Sequence, residues 1–174
     1  MRGLGKNGHS AKRLPRQPLK IRRKIRGKEL KSTVKAKRPP KVQSEHDKVI
    51  LEVAKREINL DEYTVGINPS ESKKYPVRLA GREWIYPDLV VKYRTSRQLQ
   101  EVHEVETSES VNQEEVNQWK DFASLRHRFI LWVPLDSAAR AAALIEKNVL
   151  KNVDLEVYEV DRHGKIKLRV LGPT

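Results

Sequence analysis

The order of apolar segments predicts an α/β domain in three layers, with a mixed central sheet between helices and a basic tail before it. Residues 43–174 read as helix, strands, helix, strand, helix, strands. Charge divides the chain at the same point, because residues 1–42 hold 16 of the 36 Lys/Arg and a single acid, Glu29. Residues 43–174 hold 20 Lys/Arg and 22 Asp/Glu. We therefore expect a tail over residues 1–42 and one nearly neutral domain over residues 43–174.

The tail is predicted to be disordered and to bind nucleic acid. It shows no helical or strand periodicity and contains four prolines. Basic side chains in such an arm neutralise phosphates, with an affinity that falls as salt rises. DNA is the favoured partner and RNA the alternative; an organelle transit peptide or an anionic membrane surface is a further reading of such a tail. The nucleic-acid-binding candidates are Arg22, Arg23, Lys24, Lys35, Lys37 and Arg38.

Composition excludes several classes of protein. The chain contains no cysteine, which excludes disulfides and thiolate metal sites. No apolar run reaches the eighteen residues of a membrane span, and no secretory signal is visible. We expect an intracellular protein, cytoplasmic or nucleoid-associated, without a membrane partner.

The segments before the central strands are a helix, a strand and a polar loop. The helix is predicted from Ser44 to residue 58, with His46 on its buried arc and Glu45 and Glu52 at one margin. Residues 63–67 form the first strand, and the loop after it is rich in turn-forming residues. Four cations of this region either contact a phosphate backbone or are ordinary solvated side chains: Lys73, Lys74, Arg78 and Arg82.

Three acids lie on the next two strands. Residues 88–93 form one strand and residues 98–107 the strand that returns after a short turn. Side chains alternate between faces, so Glu104 and Glu106 share a face, and hairpin pairing brings Asp88 near Glu104. Two carboxylates about 4 Å apart repel by roughly 4 kcal/mol at an effective dielectric near 20. Such a cluster calls for a cation, a shared proton or water, and oxygen ligands suit Mg²⁺ or Mn²⁺.

Tyr86-Pro87-Asp88 followed by Glu104-Val105-Glu106-Thr107 resembles the PD-(D/E)xK superfamily of nucleases and Holliday-junction resolvases. The resemblance implies a restriction-endonuclease-like fold and a divalent-metal-dependent endonuclease that hydrolyses phosphodiester bonds in DNA. It implies Asp88, Glu104 and the Val105 carbonyl as metal ligands. Many proteins of this superfamily are dimers, so a homodimer is also an expectation.

Glu106 stands where the superfamily usually has lysine, and it is expected to be a third ligand or a lysine substitute. In some members the lysine has moved to the following helix. Here that helix is predicted to begin with a capping box at residues 110–113. Lys120 lies at the border of its buried face and Gln113 on the same flank, and both are candidate catalytic residues. A solvated helix-border position is the alternative for Lys120.

Later elements complete the sheet and add no second site. We predict a buried strand over residues 128–133, a helix over 137–147, and strands over 155–160 and 166–170 joined by a hairpin turn. The spacing of the histidines, including His46 and His103, matches no zinc pattern. One rival function is a catalytically silent nuclease-like component of a nucleoprotein complex. Another is a structural protein whose tail threads into RNA.

Overall fold

The structure, a computed structural model, describes residues 40–69, 73–81 and 84–171. The six basic residues proposed for the tail lie outside the described residues, as does Arg82. The elements are α1 (Pro40–Arg56), β1 (Tyr63–Ile67), β2 (Val77–Arg78), β3 (Trp84–Ile85), β4 (Leu89–Tyr93), β5 (Leu99–Val105), α2 (Val116–Ala123), β6 (Arg128–Pro134), a 3₁₀ turn (Leu135–Ser137), α3 (Ala138–Lys147), β7 (Val153–Val160) and β8 (Ile166–Arg169).

A curled, mixed sheet of six strands organises the molecule, in the order β1-β4-β5-β6-β7-β8. Strand β4 is antiparallel to both β1 and β5, whereas β5, β6 and β7 are parallel to one another. Strand β8 returns antiparallel to β7. The parallel pairs are joined by α2 and α3, as crossover connections require. The predicted α/β class with a mixed sheet is confirmed.

Helices pack on both faces of this sheet. The α2–α3 face buries Val90, Val102, Leu131 and Val157 against Val116, Trp119 and Phe122 of α2 and Ala141 of α3. The α1 face buries Leu89, Val91, Val105, Ile130 and Trp132 against Val49, Ile50 and Val53 of α1. Neighbouring strand residues alternate between the two clusters, which follows from the period of two in a β-strand. Among the described residues, no helix combines the length and the apolar character needed to cross a bilayer.

The β4–β5 hairpin pairs as the sequence predicted. Leu89 is opposite His103 and Val90 is opposite Val102. The residue before Leu89 therefore faces Glu104 across the strand pair. The turn between the strands includes Arg97, which has a positive φ of 60°.

The first helix begins earlier than expected, at Pro40 rather than Ser44. Proline suits the first turn of a helix because its φ is already helical and it has no N–H to leave unpaired. The predicted boundary between residues 42 and 43 consequently falls inside α1.

The second helix begins later than the proposed capping box at residues 110–113, since α2 starts at Val116. The Ser110 hydroxyl instead accepts the Thr107 N–H at 2.8 Å. Asn112 Oδ1 accepts the N–H groups of Glu114 and Glu115. These local bonds hold residues 107–115 as successive turns, because short polar side chains compete with the helix for backbone groups.

The segment before Asp88 does not continue into β4. Trp84 and Ile85 pair with Val77 and Arg78 as a separate two-stranded sheet. Pro87 accounts for the interruption, because it offers no N–H to a strand ladder.

Candidate functional site

Asp88 and Glu104 meet at the edge where β4 begins and β5 ends. Both are buried, with Asp88 8% and Glu104 2% exposed. The Asp88 N–H donates to Glu104 Oε2 at 3.2 Å, and the Val105 N–H donates to Asp88 Oδ2 at 2.9 Å. Each carboxylate is thus held by the backbone of the strand that carries the other. The structure brings together the first two acids of the predicted triad.

His46 on α1 completes this cluster from the opposite side. Its Nε2 lies 2.8 Å from the Val105 carbonyl oxygen and 3.2 Å from Asp88 Oδ2. A carbonyl only accepts hydrogen bonds, so Nε2 carries the proton in this arrangement. The helical periodicity of the sequence puts His46 on the buried arc of α1 but indicates no role for it. The signal was present, because that arc covers the sheet face next to Asp88.

On the α2 side, Gln118 is the residue that contacts Glu104. Its Nε2 donates to Glu104 Oε1 at 2.9 Å. Lys120 and Gln113, the two predicted candidates, instead donate to Asn148 Oδ1 at 3.1 and 3.4 Å, in exposed positions. Gln118 and Lys120 project from α2 on either side of Trp119, about 200° apart around the helix axis. Only one of them can therefore face the sheet edge that carries Glu104.

Glu106 is fully buried and is bound from several directions. Its Oε1 accepts the Trp119 indole N–H at 2.9 Å. Its carbonyl accepts the Tyr158 hydroxyl at 2.7 Å, and its N–H donates to the Trp132 carbonyl at 2.8 Å. The predicted third acid thus links the end of β5 to β6, β7 and α2.

Asn68 holds the Pro87-Asp88 backbone in place, a role that sequence analysis missed. Its Nδ2 donates to the carbonyls of Pro87 and Tyr75, both at 2.8 Å. Its Oδ1 accepts the N–H groups of Lys74 and Tyr75, at 2.9 and 2.8 Å. Its own N–H donates to the Asp88 carbonyl at 2.8 Å. We call this set of bonds the Asn68 clamp.

A chain of polar contacts crosses the α1 face away from the carboxylate pair. The Trp132 indole N–H donates to His103 Nδ1 at 3.1 Å, and His103 Nε2 donates to Glu101 at 3.1 Å. Arg128 links Glu101 to Asp154. Burial alone would raise the pKa of Glu101, but the hydrogen bond and charge of His103, together with Arg128, lower it. His103 thus faces the opposite side of the sheet from Glu104, as the alternation of side chains along a strand requires.

Glu156, on β7, is a further buried acid on this face. Its burial raises the pKa of the carboxyl, the Leu171 N–H that donates to it opposes the shift, and the nearby charge of Asp154 adds to it. Neither of the two acids predicted at the margin of α1 is fully buried. Glu52 pairs with Arg56 one turn later, and Glu45 is exposed.

Two carboxylates and a peptide carbonyl around Asp88 are the oxygen ligands that suit a hard divalent cation, whereas His46 Nε2 holds a proton in this arrangement and has no lone pair to offer. As arranged, hydrogen bonds join these donors, and no group of three or more His, Cys, Asp or Glu in the described ranges is spaced to hold a metal ion. Asp88 Oδ1 accepts no hydrogen bond from the residues that the structure describes, and the side chain is 12% exposed. Asp88 Oδ1 is therefore not fully enclosed by the described residues.

No protein-family model, no curated protein and no solved structure matches the chain.

Proposed function

We propose that residues 43–174 form a restriction-endonuclease-like domain that hydrolyses phosphodiester bonds in DNA with Mg²⁺ or Mn²⁺. The observation that carries the proposal is the Asp88–Glu104 pair, buried and bound by the backbone where β4 and β5 meet. A buried carboxylate pair is costly unless a cation or proton compensates it. The resemblance of residues 86–88 and 104–107 to the nuclease motif supports the same function.

Asp88, Glu104 and the Val105 carbonyl would hold the cation, and the protonated His46 Nε2 lies next to the Val105 carbonyl oxygen and Asp88 Oδ2. A bound divalent ion supplies positive charge for the scissile phosphate and lowers the pKa of water. The chain contributes orientation: the Val105 N–H fixes Asp88 and Gln118 fixes Glu104 before a substrate arrives. His46 holds a proton at Nε2 and can exchange it there. The basic tail adds affinity for the phosphate backbone.

The test is cleavage of linear, branched and single-stranded DNA by the full chain, with and without Mg²⁺ or Mn²⁺. Asp88→Asn and Glu104→Gln should each lower metal-dependent cleavage by about 100-fold or more, since even a group that only orients a ligand costs 10–100-fold. Glu114→Gln, an exposed acid on the turn before α2, is the matched control and should leave the rate unchanged. Unchanged cleavage by Asp88→Asn would show that the site is wrong.

The second candidate is a catalytically silent nuclease-like domain within a nucleoprotein complex. It is favoured because both side chains expected to replace the superfamily's lysine have structural partners, Trp119 for Glu106 and Asn148 for Lys120. This function predicts nucleic-acid binding without cleavage of any of the three substrates. It also predicts no heat of binding when millimolar Mg²⁺ is titrated into the protein. A metal-binding isotherm that Asp88→Asn abolishes would contradict it.

A further inference from the structure

A basic groove lies on the α2–α3 side of the sheet, bordered by α2, the β2–β3 pair and the turn between β4 and β5. Its volume is about 1080 Å³, above the roughly 300–1,000 Å³ of small-molecule pockets. Five Lys/Arg side chains and one carboxylate, Asp121, belong to the described residues that line it. We define the basic groove by Arg78, Trp84, Lys92, Arg97, Lys120 and Arg126.

This positive charge is local. Residues 43–174 carry 20 Lys/Arg against 22 Asp/Glu, a net charge of −2, yet five of those 20 cations line the basic groove. A second pocket, of about 690 Å³, has the opposite character. Its described charged residues are Glu45, Glu109, Asp136, Glu159, Asp161 and Lys167. A polyanion is thus attracted to the first surface and repelled from the second.

Trp84 gives the basic groove an aromatic wall. It is 56% exposed, whereas Trp119 and Trp132 are 0% and 1% exposed. The Arg78 guanidinium carbon lies 5.8 Å from the centre of the Trp84 ring. An exposed aromatic ring beside cations is the arrangement on which proteins stack unpaired bases while binding the phosphates between them.

The basic groove is separate from the carboxylate pair. Lys92 follows Asp88 by four residues along the chain, and a strand rises about 3.3 Å per residue, so their backbones are about 13 Å apart. On α2 the two sites take opposite flanks, because Gln118 contacts Glu104 whereas Lys120, about 200° around the helix, lines the basic groove. The basic groove is thus a separate surface at the other end of β4 from Asp88.

We propose that the basic groove binds a single strand of nucleic acid, with phosphates on its cations and a base stacked on Trp84. The proposal rests on the proposed function in taking nucleic acid as the ligand, but it does not depend on cleavage. It adds a specific surface on the folded domain to the binding expected of the tail. The unpaired base distinguishes it from a surface that binds duplex backbone alone.

Tryptophan fluorescence tests the proposal in the full chain. The protein contains three tryptophans, none of them in residues 1–42. Trp119 and Trp132 are buried. Quenching on addition of unlabelled oligo-dT in EDTA therefore reports contact with Trp84 and not binding by the tail. We expect quenching and protection of Trp84 from iodide, both lost in Trp84→Phe. Binding of a labelled oligo-dT, followed by anisotropy, should weaken about 5-fold or more in Trp84→Ala and less in Trp84→Phe.

Charge variants provide the second measurement. Arg97→Gln with Arg126→Gln removes two cations of the basic groove, and the slope of log Kd against log salt should fall by about 1.4, at about 0.7 per phosphate contact on a single strand. Arg162→Gln with Lys165→Gln is the matched control, because it removes two exposed cations from the β7–β8 turn. The control should keep the wild-type slope.

The outcomes separate this proposal from the nuclease proposal. Quenching of Trp84 in a wild-type protein that cleaves none of the three substrates with Mg²⁺ or Mn²⁺ supports the basic groove and removes the nuclease. Cleavage by the wild type with no response at Trp84 removes the basic groove and leaves the nuclease. Oligo-dT binding without quenching, no binding at all, or equal salt slopes for groove and control variants would each overturn the proposal.

Discussion

Asn68→Asp is the sharpest test of how the structure positions Asp88. The substitution preserves shape and keeps the acceptor for Lys74 and Tyr75, but it replaces the amide that donates to the Pro87 and Tyr75 carbonyls. Each lost hydrogen bond is worth about 0.5–1.5 kcal/mol net. A carboxylate oxygen then faces two carbonyl oxygens in a buried position, which adds a desolvation cost. We expect the free energy of unfolding to fall by about 3 kcal/mol in total.

The assay is urea unfolding followed by the fluorescence of the buried tryptophans. With an m-value of about 2 kcal/mol per M, the midpoint should drop by about 1.5 M without a change in m. Asn59→Asp is the matched control, because the exposed Asn59 side chain accepts the Asp61 N–H through Oδ1 and an aspartate can do the same. Its midpoint should stay within about 0.25 M of the wild type, the equivalent of about 0.5 kcal/mol. Equal midpoints for the two variants would refute the role given to the Asn68 clamp.

Three further substitutions test the buried acids. Trp119→Phe removes the indole donor to Glu106 and should lower the free energy of unfolding in urea by about 1–3 kcal/mol. The control, Trp84→Phe at an exposed position, should lower it by less than about 0.5 kcal/mol. Equal losses in the two variants would contradict the pairing of Trp119 with Glu106. The lowered pKa of Glu101 contributes stability above the ordinary carboxyl pKa that is lost as pH falls through the folded-state value, so Glu101→Gln should destabilise at pH 7 and not in acid. The raised pKa of Glu156 acts in the opposite sense. It stabilises the folded state at low pH, and this stabilisation is lost as the pH rises through the pKa of Glu156 in the folded state. Glu156→Gln should therefore stabilise at pH 7 and not in acid. The unfolding midpoints of the wild type and of both variants, measured against pH, check these two predictions. A variant whose midpoint differs from that of the wild type by the same amount at every pH would contradict the pKa shift of that residue.

The sheet was predictable where one rule decides the structure. Alternation with a period of two puts Glu104 on the face opposite His103 whatever the tertiary contacts are. The position of the β4–β5 turn then fixes the register, so Asp88 had to lie near Glu104. The strand 128–133 was equally clear, because a run of apolar residues ending at Pro134 suits a strand covered on both faces.

The residues around Asp88 were harder to predict because their positions depend on helix rotation and loop path. The choice between Gln118 and Lys120 turns on about 200° of rotation, and the local bonds of Ser110 and Asn112 moved the helix start away from the capping box. The Asn68 clamp bonds residues 7 and 19 positions away, and such loop contacts leave no periodic signal. His46 was identified as buried, but only packing shows that its imidazole reaches the Val105 carbonyl.

The buried acids divide into two kinds when their partners are compared. Glu106 is fully buried and bound by Trp119, and Glu156 receives the Leu171 N–H, so each has a structural role that explains its burial. Asp88 differs, because its bonds within the described residues reach one of its two carboxylate oxygens and its side chain, at a strand end, is 12% exposed. A carboxylate that is fixed by the fold and also accessible is the kind that a ligand can use. In the proposed nuclease, Asp88 is therefore the accessible ligand, Glu104 is held beside it by the Asp88 N–H and Gln118, and Glu106 maintains the strand and helix that carry the pair.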